Sequence, residues 1–172
     1  GLYGALIEMT RPLTAAGMPE VSSDYRTWTI KIQPGIYFAD DPAFKGQRRE
    51  LVAADFAYAW KRQFDPANKS PSITSFEEER VLGMNELRER AIKEKKPFDY
   101  DAPVEGLRVL DRYTIQFRLE NPRPRFIYTI AMNDLAGAVA REVVEHYGDQ
   151  IMGHPVGTGP FKLAQWRRSS QI

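Results

Sequence analysis

The sequence predicts an α+β fold. Three observations lead there. Thr27-Trp28-Thr29-Ile30-Lys31-Ile32 alternates apolar and polar residues with period two, the mark of a half-buried strand. Ala53 to Phe64 carries Phe56, Trp60 and Phe64 four residues apart, on one helical face with Ala53 and Ala57. Leu107 to Leu110 and Tyr113 to Leu119 flank Asp111-Arg112, and the second run again alternates, which reads as a hairpin with one buried face. The order strand, helix, helix, hairpin, helix, helix, strand differs from the regular strand–helix alternation of a parallel α/β fold.

Each element has its own local reason. Gly1 to Thr10 is apolar, and Pro12, Gly17 and Pro19 then mark a loop. After the Trp28 strand, Pro34-Gly35 makes a turn, and Ile36-Tyr37-Phe38 starts a second short extended run. The Ala53 helix ends at Asp65-Pro66, because a residue before proline avoids helical geometry. Asn68 to Thr74 is a polar loop. Ser75 with Glu78 has the spacing of a capping box, so a second helix is expected from Ser75 to Lys95 or Lys96. Pro97 stops it and Gly83 would kink it. Glu77, Glu78 and Glu79 would then lie in the first turn and complement the helix dipole. Pro122 and Pro124 break the chain. Arg125 to Met132 and Arg141 to Tyr147 are short helix candidates, the latter closed by Gly148. Phe161 to Trp166 reads as a last strand. The shared core is expected to include Trp28, Ile30, Phe56, Trp60, Phe64, Ile115 and Phe117.

Composition narrows the function. The 172 residues are 42% hydrophobic, and 24 Lys plus Arg balance 23 Asp plus Glu to a net charge of +1. A chain of this size buries about 70% of its extended surface, enough for a real core. The charge balance gives no electrostatic case for nucleic acid, and the basic run Lys45 to Arg49 reads as a solvated loop. With no cysteine there is no disulfide, thiolate nucleophile or Cys-ligated zinc site. No stretch approaches the roughly 18 apolar residues of a membrane span. The chain starts at Gly1 rather than Met and stops at Ile172 without a helix-closing signal, so it is expected to be an excised segment.

Motifs of chemistry are weak. Gly157-Thr158-Gly159 lacks the Gly-Lys-Ser/Thr of a Walker loop and the third glycine of a dinucleotide fingerprint. Glycines here suit a tight turn with positive φ before a strand. His146 lies among Glu142, Glu145 and Asp149, a set that could suggest a metal but reads better as a solvated helix face, because a metal site needs convergent ligands and not merely nearby ones. No serine lies in Gly-x-Ser-x-Gly, and nothing assembles a nucleophile, a base and an oxyanion site. No metal or cofactor is expected.

Four segments, in order, resemble bacterial extracellular solute-binding proteins of the oligopeptide/dipeptide-binding type (family 5). "MPEVSSDYRTWTIKIQPGIYFADDPAF" (18–44) resembles their strand pair and loop. "ELVAADFAYAWKRQFDP" (50–66) resembles the following helix, "VEGLRVLDRYTIQFRL" (104–119) the hairpin, and "HPVGTGPFKLAQW" (154–166) the return strand. The resemblance implies the ligand-capturing, non-enzymatic component of an ABC importer, periplasmic or extracellular, with or without a membrane anchor. Such proteins have two lobes that close on a ligand. This chain would be part of lobe one in a two-lobed periplasmic-binding-protein-like fold. Residues 11–152 would be an inserted smaller subdomain, and 1–10 and 153–172 flanking segments of the main lobe-one sheet. The partners implied are a peptide or other small solute and a membrane ABC permease. Uncovered ends, with Leu2, Leu6, Phe161 and Leu163, would fray or dock onto a second copy. The resemblance also suggests Ser70, Ser72 and Thr74 as ligand-binding residues and Gly157, Thr158 and Gly159 as a structural turn into the return strand. Two departures stand out. Val52 occupies the place of a threonine helix cap, and Ser72 follows Ser70-Pro71 where some peptide binders carry a tyrosine.

Two rival readings are kept. One is a hydrolase using Asp40, Asp41 and His154 in a cleft, which requires a nucleophile and base within hydrogen-bond reach. The other is a structural module docking a partner through the Ala53 helix, which requires a large exposed apolar patch.

Overall fold

The alternating runs find one another across a four-stranded antiparallel sheet. A computed structural model of the chain describes residues 14–132 and 136–164. The expectations for Gly1 to Thr10, with Leu2 and Leu6, and for Trp166 lie outside the described residues. Strands β1 (Glu20–Val21), β2 (Thr27–Lys31), β3 (Leu107–Asp111) and β4 (Thr114–Arg118) stand in the order β1-β2-β4-β3. The register sets Trp28 against Phe117 and Ile30 against Ile115, and Leu107 and Val109 against the same two β4 residues. One face of the sheet is therefore apolar, as a side-chain period of two requires. The other face aligns Thr29 with Gln116, whose Nε2 donates to Thr29 Oγ1 at 3.1 Å.

The helix α1 (Ala53–Phe64) packs on β3 and β4. Trp60 is 1% exposed and lies 4.7 Å from Phe117, 4.8 Å from Phe76 and 5.8 Å from Phe126, ring centre to ring centre. Phe126 in turn lies edge-on to Trp28 at 5.8 Å. Of the seven expected core residues, Trp28, Trp60, Phe64, Ile115 and Phe117 are buried, and Ile30 and Phe56 pack against them half-buried. The start of α1 solves the missing cap in another way. Val52 has no side-chain acceptor, so the Ala53 N–H donates to the Arg112 carbonyl at 2.9 Å, and Asp55 reaches back to accept from the Val52 N–H at 2.8 Å.

The long second helix is not formed as one piece. It splits into α2 (Ile73–Glu78) and α3 (Met84–Glu94). Ser75 lies inside α2 rather than capping it, and Ser72 takes the cap position without a side-chain bond. Arg80 (φ 54°) and Gly83 (φ 84°) turn the chain between the two helices, and Val81 bridges to Leu119. Pairing with the sheet thus overrides helix propensity. Three backbone segments meet here: Leu82 N–H donates to Arg118 O at 3.0 Å, Gly106 N–H to Leu82 O at 2.8 Å, and Arg118 N–H to Gly106 O at 2.9 Å. A Cβ on Gly106 would lie 2.4 Å from Leu82 N and 2.6 Å from Arg118 O, so only glycine fits. The break also moves Glu77 and Glu78 to the last turn of α2 and Glu79 to its C-cap, the wrong end for the dipole argument. Glu77 pairs instead with Arg88 at 3.1 Å, and Glu79 accepts from the Thr129 hydroxyl.

The short helices α4 (Phe126–Ile130) and α5 (Arg141–Tyr147) follow, and a 3-10 turn spans Gly148–Gly153. Ile36 to Phe38 pairs with residues 49–51 only locally, through a Tyr37–Glu50 bridge. Residues 161–164 are not a strand, and Phe161 is 93% exposed. A strand exists by pairing, and no described segment pairs with these residues.

Candidate functional site

The loop carrying Ser70, Ser72 and Thr74 is shaped where α1 ends. Asp65, before Pro66, caps a 3-10 turn (Pro66–Asn68) by accepting from the Ala67 N–H at 2.9 Å. Asn68 Nδ2 donates to the Arg62 carbonyl at 2.9 Å. Lys69 takes a left-handed conformation, φ 49°, and reverses the chain. Ser70 Oγ then donates to Gln63 Oε1 at 2.5 Å and accepts from the Ser72 N–H at 3.3 Å. Ser70 and Ser72 are thus brought together, half-buried, while Thr74 stands exposed on α2. Polar side chains on an ordered turn suit recognition of a polar ligand by hydrogen bonds.

Tyr100, thirty residues further along, closes this turn from outside. Its hydroxyl donates to Asp65 Oδ2 at 2.6 Å and accepts from Asn68 Nδ2 at 3.2 Å. Burial and then the bond to the Asp65 carboxylate push this phenol well above its ordinary range.

Beside it runs a charged cleft of about 390 Å³, lined among others by Arg49, Asp55, Tyr58, Lys61, Tyr100 and Arg141. The Arg49 guanidinium meets the buried Asp55 carboxylate at 2.7 and 3.1 Å and Glu142 at 2.8 Å. Burial pushes the Asp55 carboxyl up, against the pull of Arg49 and the Val52 N–H. Lys61 Nζ donates to the carbonyls of Tyr100 and Ala102 at 2.8 and 2.7 Å, and burial pulls it down. Arg141 pairs with Asp101 at 2.5 Å and Glu145 at 2.6 Å. The basic run 45–49 is therefore not wholly a solvated loop, because Arg49 anchors this network.

Gly157, Thr158 and Gly159 are exposed, and Gly157 O accepts from the Ala39 N–H at 2.9 Å. Positive φ occurs at Gly35, Gly46, Gly83 and Gly148, not at Gly157 or Gly159, and no atom crowds either position closer than 4.0 Å. The steric reason expected for these glycines is absent from this geometry. Of the hydrolase trio, Asp41 and His154 meet on one tyrosine. Tyr147 donates to Asp41 at 3.1 Å, and the His154 ring stacks on Tyr147 at 3.9 Å. Asp41 also caps a 3-10 turn through the Ala43 N–H, and Asp40 O accepts from Lys162. The structure joins these groups as a clasp on residues 147–162. His146 also lies edge-on to Tyr147 at 4.7 Å, and no described group of three His, Asp or Glu could hold a metal.

Sequence reasoning missed Asp55, Asp65 and Tyr100. Asp55 carried a signal, an acid three residues after the cap position Val52. Asp65 carried one as an Asp before proline. Tyr100 carried none.

An α+β fold thus carries the polar turn and the paired-charge cleft. The chain belongs to the family described as bacterial extracellular solute-binding proteins, family 5 (middle), whose profile matches residues 10–172. It is 29% identical to the dipeptide-binding protein of Escherichia coli K12 over 187 aligned residues, covering 99% of this chain and 31% of that protein. It is 26% identical to the periplasmic oligopeptide-binding protein OppA of Salmonella typhimurium, covering 88% of this chain and 25% of that one. The crystal structure of Haemophilus influenzae OppA in complex with the peptide RPPGFSPFR superposes with a TM-score of 0.67 at 26% identity, over 91% of this chain and 28% of that chain. The chain thus spans between a quarter and a third of the length of these relatives.

Proposed function

We propose that this chain is part of the ligand-capturing component of an ABC importer, acting on peptides or similar solutes outside the cytoplasmic membrane. The family match over residues 10–172 carries this reading, and the relatives named for dipeptides and oligopeptides support the ligand class. In this reading residues 11–152 are the inserted smaller subdomain of lobe one. The segments on either side belong to the main lobe-one sheet, and a membrane permease receives the ligand. The Ser70–Thr74 loop supplies polar contacts on one wall, and closure of a second lobe supplies the rest.

Pockets for small ligands typically bury about 70–90% of the ligand surface, and one partial lobe offers a single open wall. Calorimetry with a library of di- to pentapeptides tests the reading. The longer protein carrying this segment is expected to capture peptides saturably, and residues 1–172 alone to show no micromolar binder. Failure of the longer protein to bind any peptide would overturn the ligand class. A tight binder of the segment alone would place the whole site within it.

A further inference from the structure

We propose that Tyr100 is a positioning residue for the loop that presents Ser70, Ser72 and Thr74. The proposal rests on reading that loop as ligand-facing. A single hydroxyl joins two loop side chains, donating to Asp65 at 2.6 Å and accepting from Asn68 at 3.2 Å. Each of those side chains holds a backbone group of the turn or of the helix end before it: Asp65 the Ala67 N–H and Asn68 the Arg62 carbonyl. The phenol therefore ties the second layer of the turn at two points.

Tyr100 is itself fixed. Asp99 Oδ1 accepts from the N–H groups of Asp101 and Ala102 at 2.9 and 3.1 Å. Lys61 binds the Tyr100 and Ala102 carbonyls. The ring sits 5.0 Å from Tyr58 and 5.2 Å from Phe98. A rigid post thus meets a turn that carries a strained residue, because Lys69 holds a left-handed conformation that a side chain disfavours. If the hydroxyl is removed, its bonds to Asp65 and Asn68 are lost together. The turn can then relax, and Ser70 and Ser72 move with it.

The test compares Tyr100→Phe with Tyr128→Phe, which removes an exposed hydroxyl outside the loop and the cleft, in the longer protein. Amide chemical shifts of residues 66–74, the unfolding midpoint, and capture of a tripeptide library are each read. Tyr100→Phe is expected to shift the loop amides and weaken capture about five- to tenfold, the scale of one ordinary hydrogen bond, with capture by Tyr128→Phe unchanged. Asp65→Asn, which keeps a polar partner for the phenol, is expected to retain more capture than Asp65→Ala. Shifted loop amides with unchanged capture, while Ser70→Ala or Ser72→Ala does weaken it, would overturn the role of Tyr100 alone. No change in capture from any loop substitution would overturn the ligand-facing reading itself, and the proposal with it.

Discussion

Helix α1 is buried on two sides by opposite means. On one side Ala53, Trp60 and Phe64 are at most 1% exposed among the rings of Phe76, Phe117 and Phe126. On the other, Asp55 and Tyr58 are 2% and 8% exposed, covered by Arg49, Tyr100 and the start of α5. The aromatic side removes apolar surface from water, a gain that needs little directionality. The ionic side gains only when every charge finds its partner, because desolvation offsets most of the Coulomb attraction. The first therefore supplies stability and the second fixes where α5 and the 98–102 segment sit.

The largest test of this contrast is Trp60→Ala, which is expected to cost about 3–5 kcal/mol in denaturant unfolding. A loss under 1 kcal/mol would mean that the aromatic side is not the main source. Arg49→Met comes next. It leaves Asp55 buried without its cation, at about 2–4 kcal/mol, somewhat below a fully enclosed pair because Arg49 keeps some contact with water. The double substitution Arg49→Met with Asp55→Leu should recover most of that loss, and failure to recover would show that the pair itself is a net source of stability.

Tyr100 gives a smaller, pH-dependent signal. Its folded-state value is raised above the ordinary 10.0, so the folded state holds the proton more tightly. The stability it supplies is full below pH 10.0 and is withdrawn as pH rises through the folded value. Lys61 has the opposite sign. Its folded value is depressed below 10.5, so its contribution grows as pH rises towards that point. The difference between the parent chain and Tyr100→Phe isolates the tyrosine, and the variant should lack the alkaline loss. Parallel pH profiles would contradict the Asp65 bond. The smallest effect is expected from Arg141→Ala, whose partners Asp101 and Glu145 are exposed. At physiological salt its unfolding midpoint should match the parent within error.

The two sides of α1 also differ in how they could be read beforehand. Phe56, Trp60 and Phe64 recur at helical spacing, and Trp28, Ile30, Ile115 and Phe117 at strand spacing, so local pattern alone defines α1 and the hairpin. The ionic side joins residues 49, 55, 100 and 142, a set with no common period, and only the folded chain brings them together. The same reasoning explains the split of the second helix. Residues 79–83 look helical by composition, but Leu119, at the end of the interior strand β4, captures Val81, and Arg80 and Gly83 turn the chain to allow it. Of the suggested site, Ser70 and Ser72 do meet, through a turn whose Asp-Pro start was visible. Its outer anchor Tyr100 was not, because no sequence rule links a tyrosine to a loop thirty residues away.

The junction at Gly106 ties together the fates of distant parts of the chain. Its three hydrogen bonds form a closed ring among residues 82, 106 and 118, so pulling any one segment away leaves the other two with unmet partners. The helix break, the lead-in to the hairpin and the last residue of β4 therefore open as one unit. Native-state hydrogen exchange should give the amides of Leu82, Gly106 and Arg118 a common opening free energy, although 36 residues of chain separate the first from the last.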